Sequence, residues 1–183
     1  MRIDSHHHLW DLSVRDQEWI VGDEMQTIRR SFAISDLKDA IKSSRIDRTV
    51  LVQTVTDYSE TPELLNIAQS EHLVGAVVGW LQIDAPDAIA RLHQYLDLPG
   101  AEYLKGIRDI AQDHPDPNYL AKPQTIANVK KLGELGITFD LLTKTPELAA
   151  AIKLVSACPD VQFVMDHISK PYIAKKEIEP WKT

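Results

Sequence analysis

Short apolar runs alternate with amphipathic segments along the whole chain, and this alternation restricts it to a small set of α/β folds built on a parallel sheet. The clearest run is Val50-Leu51-Val52, inside a strand predicted over 48–56. It is apolar without a break, as strands buried on both faces are. The opening stretch, residues 3–10, reads as a first strand. Others are predicted at 73–83, 103–107, 137–142 and 161–165. Helices are predicted between them: 35–44 with Ser35 as N-cap, one starting at Thr61-Pro62-Glu63 with Thr61 as N-cap, 84–96, 124–135 with Gly136 behind it, and one starting at the second Thr-Pro-Glu, Thr145-Pro146-Glu147. Strand followed by helix thus occurs five times before a final strand. A doubly wound sheet and a (β/α)8 barrel both fit this order. The first strand is followed by neither a phosphate-loop nor a dinucleotide glycine pattern, which favours the barrel over a nucleotide-binding, flavodoxin-like domain.

Composition narrows the function. The 183 residues suit one domain, 1–183, with a buried core. A formal charge of -7 and no basic run speak against a nucleic-acid partner. No apolar run is long enough to span a membrane, and the N-terminus has no apolar signal-peptide core. The lone cysteine, Cys158, is expected to pack rather than react, and a cytoplasmic location suits it. Residues 11–30 are polar and irregular, as lids and binding loops often are. The tail, 170–183, has no firm predicted structure.

Chemistry-bearing residues collect at the C-terminal ends of the predicted strands, the face that carries active sites in (β/α)8 barrels. In Ile3-Asp4-Ser5-His6-His7-His8-Leu9-Trp10, strand periodicity sends His6 and His8 to one face and His7 to the other, with Asp4 behind the pair. Two imidazoles so placed can grip a metal or polarise a substrate oxygen. A tag remnant is usually longer and would not sit between Asp-Ser and Leu-Trp. The next strand ends carry Gln53, Trp80, Gln82, Arg108, Asp140, Asp166 and His167. Arg108, beside Gly106, offers a planar fork to a carboxylate or oxyanion. Its bland alternative is a salt bridge. That of His167 is a satisfied core histidine, that of Gln53 a strand-end amide, and that of Trp80 a pocket wall. Asp140 and Asp166 can orient a neighbouring histidine. Tyr58, Asp113 and His114 fall in strand-to-helix loops as candidate substrate contacts.

Taken in order, residues 3–10, Val50-Leu51-Val52-Gln53, Val77-Val78-Gly79-Trp80, Gly106-Ile107-Arg108, Phe139-Asp140-Leu141 and Val164-Met165-Asp166-His167-Ile168-Ser169-Lys170-Pro171 resemble the amidohydrolase superfamily. The branch is that of metal-dependent barrel hydrolases, which includes sugar lactonases and the pyrone-dicarboxylate lactonase. The resemblance implies a (β/α)8 barrel that opens a lactone or related ester by water attack on a polarised carbonyl. It places His6, His8 and His167 as ligands of a divalent metal, zinc foremost, although some members of the branch work without one. Catalysis falls to His6, His8, Arg108 and His167, and substrate binding to Gln53, Trp80, Arg108 and Asp140. The substrate would be a small lactone or carboxylate. Members of the family have eight strands and a general-base aspartate after the eighth. Here about six strand-helix units are predicted, and no position matches that aspartate. An incomplete barrel follows, with open sheet edges that invite a homo-oligomer. A decarboxylase of the same superfamily and a non-catalytic remnant that binds a ligand or partner chain are the rival readings.

Overall fold

A computed structural model describes residues 1–182. Six parallel strands form one sheet in the order β1-β2-β3-β4-β5-β6. They are β1 (Ile3–His7), β2 (Arg48–Val52), β3 (Val74–Trp80), β4 (Leu104–Ile110), β5 (Thr138–Leu142) and β6 (Phe163–Met165). The helices between them are α1 (Ile34–Ile41), α2 (Glu60–Ser70), α3 (Ala88–Leu96), α4 (Pro123–Glu134) and α5 (Leu148–Ala157). Each strand pairs with the next in sequence and the order never reverses. A doubly wound sheet requires such a reversal; an unbroken order curls into a barrel wall. The architecture is an incomplete (β/α)8 barrel of six strands.

One face of the sheet meets the helices. Leu51, Val77, Ile107 and Phe139 join Leu64, Leu65, Leu92, Val129, Leu132 and Leu154 in the main apolar cluster. The approach is close at Gly79, where an added Cβ would lie 2.6 Å from the Thr61 methyl. The other face lines the barrel interior. There a Cβ on Gly106 would meet Thr138 at 2.5 Å, with Val78 and Asp140 next.

Several element ends differ from the sequence-based expectation. Strand β4 continues to Ile110 instead of stopping at 107, so Arg108 lies within the sheet and not beyond it. The charged Asp109 is tolerated there because the Trp80 indole and the Ile83 amide donate to its carboxylate, at 2.9 and 2.8 Å. Helix α1 begins at Ile34 with Ala33 at the N-cap, not Ser35, and the Asp36 carboxylate accepts from the Ala33 amide at 2.9 Å. Helix α2 begins at Glu60 with Ser59 at the N-cap. Thr61 does not cap it; its hydroxyl accepts from the Trp80 amide at 2.9 Å and ties helix to strand. Thr145-Pro146-Glu147 makes a 3-10 turn ahead of α5, with Lys144 as the capped residue. Gly136 has the left-handed φ of 71° expected behind α4.

The long segment 11–30 is pinned down. Trp10 and Phe32 exchange backbone hydrogen bonds at its base, at 3.1 and 2.8 Å. Arg15 bridges it to Asp57 and Glu63, at 3.0 and 2.8 Å. Among the described residues no helix is long and apolar enough to cross a membrane.

Strands β1 and β6 each have one neighbour. Apolar side chains are exposed around β6 and the segments next to it, among them Ile152, Val164, Met165, Ile168 and Ile173. Unpaired backbone beside apolar surface is an invitation to association. The isolated 183-residue chain is therefore expected to sediment at micromolar concentration as dimers or larger species. Met165→Lys should shift it toward monomer. A monomer that unfolds in one sharp transition would count against this.

Candidate active site

The two histidines of β1 meet as the strand period requires: Nε2 of His6 lies 3.2 Å from Nε2 of His8. His7 points away and contacts the Thr49 hydroxyl at 2.9 Å. The Nδ1 of His8 lies 2.8 Å from the Val52 carbonyl, which can only accept. The proton therefore sits on Nδ1, and the Nε2 lone pair faces the site. His167 follows β6, with its ring centroid 4.9 Å from that of His6. Burial pushes the pKa of all three down, that of His8 to about 4. At neutral pH they present unprotonated nitrogens.

Arg108 and Asp166 form the charged floor. Nη1 of Arg108 donates to Oδ2 of Asp166 at 2.8 Å, and both side chains are almost fully buried. The other Asp166 oxygen lies 3.6 Å from Nδ1 of His6. Nη2 of Arg108 donates to the Gln53 carbonyl. Each terminal nitrogen thus makes one bond, while Arg108 Nε and Gln53 Oε1 are buried without a hydrogen-bond partner among the described residues. Asp140, in register with Arg108, is buried and accepts a hydrogen bond from the Thr138 hydroxyl at 3.4 Å. Burial, reinforced by the Asp166 charge, raises its pKa to about 7 against the pull of Arg108.

The segment after β6 is backbone-strained. His167, Ile168, Ser169 and Lys170 all have left-handed φ, from 46° to 56°. Non-glycine residues held there cost roughly 1–3 kcal/mol each, and such strain gathers at functional sites. Ser169, fully buried, holds the turn by a 2.8 Å contact with the Thr143 hydroxyl.

The structure brings His6, His8, Arg108, Asp166 and His167 together, with Gln53 and Asp140 beside Arg108. Trp80 is buried, with its indole N–H committed to Asp109 and its ring 4.6 Å from that of Tyr58. Gln82 is exposed and bonds Asp84 at 3.2 Å, apart from the cluster. His114 stacks on Tyr119 at 4.2 Å, and Asp113 pairs with Lys144 at 2.5 Å. Sequence reasoning gave Asp166 only an orienting part and passed over Lys170. The adjacency of Asp166 and His167 was the available signal for the first.

The donor set suits a metal. One atom each from His6, Asp166 and His167 lies within 4.8 Å of the others. That trio differs from the expected His6, His8 and His167, because the acid stands in the cluster and His8 joins through its contact with His6. Imidazole nitrogens with one carboxylate are a zinc-type donor set. The side chains present fit such an ion.

A parallel barrel wall with a histidine-carboxylate cluster at its C-terminal mouth is the arrangement in which barrel enzymes carry their active sites. The amidohydrolase family model matches residues 3–183, and the chain belongs to that family. An L-fucono-1,5-lactonase from Burkholderia ambifaria is 31% identical over 180 residues, which are 98% of this chain and 61% of that protein. A second L-fucono-1,5-lactonase, from Burkholderia multivorans, is 27% identical over 96% of this chain and 58% of its own length. The solved structure of a zinc-bound amidohydrolase from Burkholderia multivorans superposes with a TM-score of 0.88 at 26% identity, covering 100% of this chain and 63% of that one. A probable 2-pyrone-4,6-dicarboxylic acid hydrolase from Acinetobacter baumannii shares the fold, with a TM-score of 0.69 at 16% identity, over 98% of this chain and 63% of its own. The chain spans about three fifths of the length of these relatives.

Two predictions test the floor of the site. Arg108→Met strands the buried Asp166 charge and should lower unfolding stability by about 3–5 kcal/mol, whereas the Arg108→Met/Asp166→Asn double variant should recover much of that loss in urea melts. Asp140 has a raised pKa, so between pH 4 and 7 the native state binds its proton more tightly than the unfolded chain does. That contribution to stability is present at low pH and lost as pH rises through about 7. Asp140→Asn should match the unsubstituted protein near pH 4 and exceed its stability by up to about 4 kcal/mol at pH 8, measured by denaturant melts across pH.

Proposed function

We propose that this chain carries the electrophilic half of a lactone-hydrolase site. The observation that carries the reading is the cluster of neutral His6, His8 and His167 around Asp166, held by Arg108 at the strand ends. The family membership and the lactonase names of two relatives support it. His6, Asp166 and His167, with His8, would hold a divalent metal, with zinc the best match to their donors. A metal bound there supplies Lewis acidity to a carbonyl oxygen and lowers the pKa of water.

The residues of the chain do the rest. His8, with its proton fixed on Nδ1 by Val52, turns an Nε2 lone pair to the site and cannot change tautomer without losing that bond. Arg108 fixes the Asp166 carboxylate and, through it, the position of His6. Asp166 is already engaged by Arg108 and His6, and Asp140 lies buried with its proton held near neutrality. Neither is placed to take the proton of the attacking water. That acceptor comes from outside these six strands, in keeping with the eighth-strand aspartate that the family resemblance assigns. The small-molecule substrate is a lactone of the sugar or pyrone-carboxylate type, and the reaction is ring opening to a hydroxy acid. The buried, unbridged thiol of Cys158 is in keeping with work in the cytoplasm.

The test is metal content by elemental analysis together with a lactone-opening assay followed by pH indicator. One transition metal per chain is expected, lost with His6→Ala, and any lactone opening should fall at least a hundredfold in that variant. Unchanged turnover in His6→Ala, or carbon dioxide release in place of ring opening, would overturn the reading.

A further inference from the structure

A cavity of about 360 Å³ lies between the segment that follows β1 and helix α2. Leu9, Trp10, Phe32 and Ile34 line one side of it, and Leu64 and Ile67 the other. Neither the site histidines, Arg108 and Asp166 nor any residue of β6, α5 or the segment after them borders it. Protein interiors are packed as tightly as organic crystals, with few voids larger than a water molecule. A dry apolar cavity of roughly 150 Å³ already accepts benzene, and this one is more than twice that size. Small-molecule pockets start at about 300 Å³ and are lined mainly by apolar and aromatic side chains.

The cavity is braced open. Arg15, part of its wall, ties the segment to the start of α2: its guanidinium donates to the Ser59 hydroxyl at 2.6 Å, to the Glu63 carboxylate at 2.8 Å and to the Asp57 carboxylate at 3.0 Å. The two aromatic rings are fixed as well. The Trp10 indole N–H donates to the Arg30 carbonyl at 2.7 Å, and the two ring centroids are 4.9 Å apart. The Arg30 guanidinium lies 3.7 Å from the centre of the Phe32 ring and is itself held by Asp36 at 2.8 Å. Closing the gap against α2 would require these ties to rearrange.

We propose that this cavity is a second ligand site, for a small uncharged apolar compound about the size of a bicyclic aromatic ring. The one polar atom of Trp10 is already bonded, so its ring offers only apolar surface. Four carboxylates, Asp11, Glu60, Glu63 and Glu71, border the cavity against the single guanidinium of Arg15, which disfavours an anion. Each of the four is already engaged: Asp11 by the Ser13 and Ser31 hydroxyls, Glu60 by the Thr54 and Val55 amides, Glu63 by Arg15 and Glu71 by Lys38. A cation therefore finds no free partner. The hydroxy acid made by ring opening does not fit this site, and the inference does not depend on the lactone-hydrolase reading. An occupant would nevertheless be felt at the barrel mouth. Leu9 directly follows His8, and Glu60 holds the Thr54 and Val55 amides, at 2.9 and 3.1 Å, just beyond Gln53.

The experiment is calorimetric titration of the full 183-residue chain with indole, indole-3-carboxylate and tryptamine, joined to amide hydrogen exchange with and without saturating indole. Indole should bind at least tenfold more tightly than indole-3-carboxylate and at least as tightly as tryptamine. Ile67→Trp fills the cavity from α2 and should weaken indole binding at least tenfold. Ser70→Phe, from an exposed position on the rim, is the second filling variant, and thermal unfolding checks that each is folded. Met165→Lys, on β6, should leave indole binding unchanged. Indole should slow exchange in 54–55 and 60–71 and not in 163–173. No indole binding, indole-3-carboxylate or tryptamine bound more tightly than indole, unchanged affinity in a folded filling variant, or protection confined to 163–173 would overturn the proposal.

Discussion

The buried ion pair of Arg108 and Asp166 is the contact on which the interior depends. Arg108 stands on β4, reaches the Gln53 carbonyl after β2, and holds Asp166 after β6; Asp166 in turn lies beside His6 on β1. One guanidinium thus joins four strand ends across the concave face of the sheet. Such a pair adds little net stability over apolar packing, since removing two charges from water is expensive. What it supplies is geometry. Once both charges are buried, any displacement of one strand end leaves the other charge unmet, so the register of the strand ends is fixed to within a hydrogen-bond length.

The histidines inherit that order. A metal-binding or carbonyl-polarising imidazole is useful only when its tautomer and ring direction are set. His8 takes its tautomer from the Val52 carbonyl, and His6 takes its position from Asp166 and from its contact with His8. His167 is set differently, by a turn of four left-handed residues anchored through Ser169. Stability is given up in that turn to place a histidine and a lysine at the mouth.

The same sheet shows how an incomplete barrel differs from a complete one. The face toward the helices is fully packed, with Phe139, Leu51 and Ile107 excluded from solvent. On the concave face Arg108 and Asp166 are buried while Val164 on β6 is 45% exposed. Apolar surface around β6 and α5 is what further strand-helix units would cover. The relatives, of which this chain spans about three fifths, are long enough to have them.

Much of this was legible in the sequence. The alternation of apolar runs and amphipathic segments specified parallel strands, and the lack of a glycine fingerprint after the first strand favoured a barrel over a doubly wound sheet; the sequential strand order is seen in the structure. Period two along β1 specified that His6 and His8 share a face and that His7 does not. Those inferences hold because strand and helix periods are local backbone geometry. The helix starts at Ile34 and Glu60 were not legible. There an acidic side chain at Asp36 and a tertiary bond from Thr61 to Trp80 override the usual capping preference. The entry of Asp166 into the histidine cluster and the bonds from the two terminal nitrogens of Arg108 to Asp166 and Gln53 were decided only by the tertiary structure. Each depends on which charges end up adjacent once strands far apart in sequence are curled together, and distance through space is not written in residue spacing.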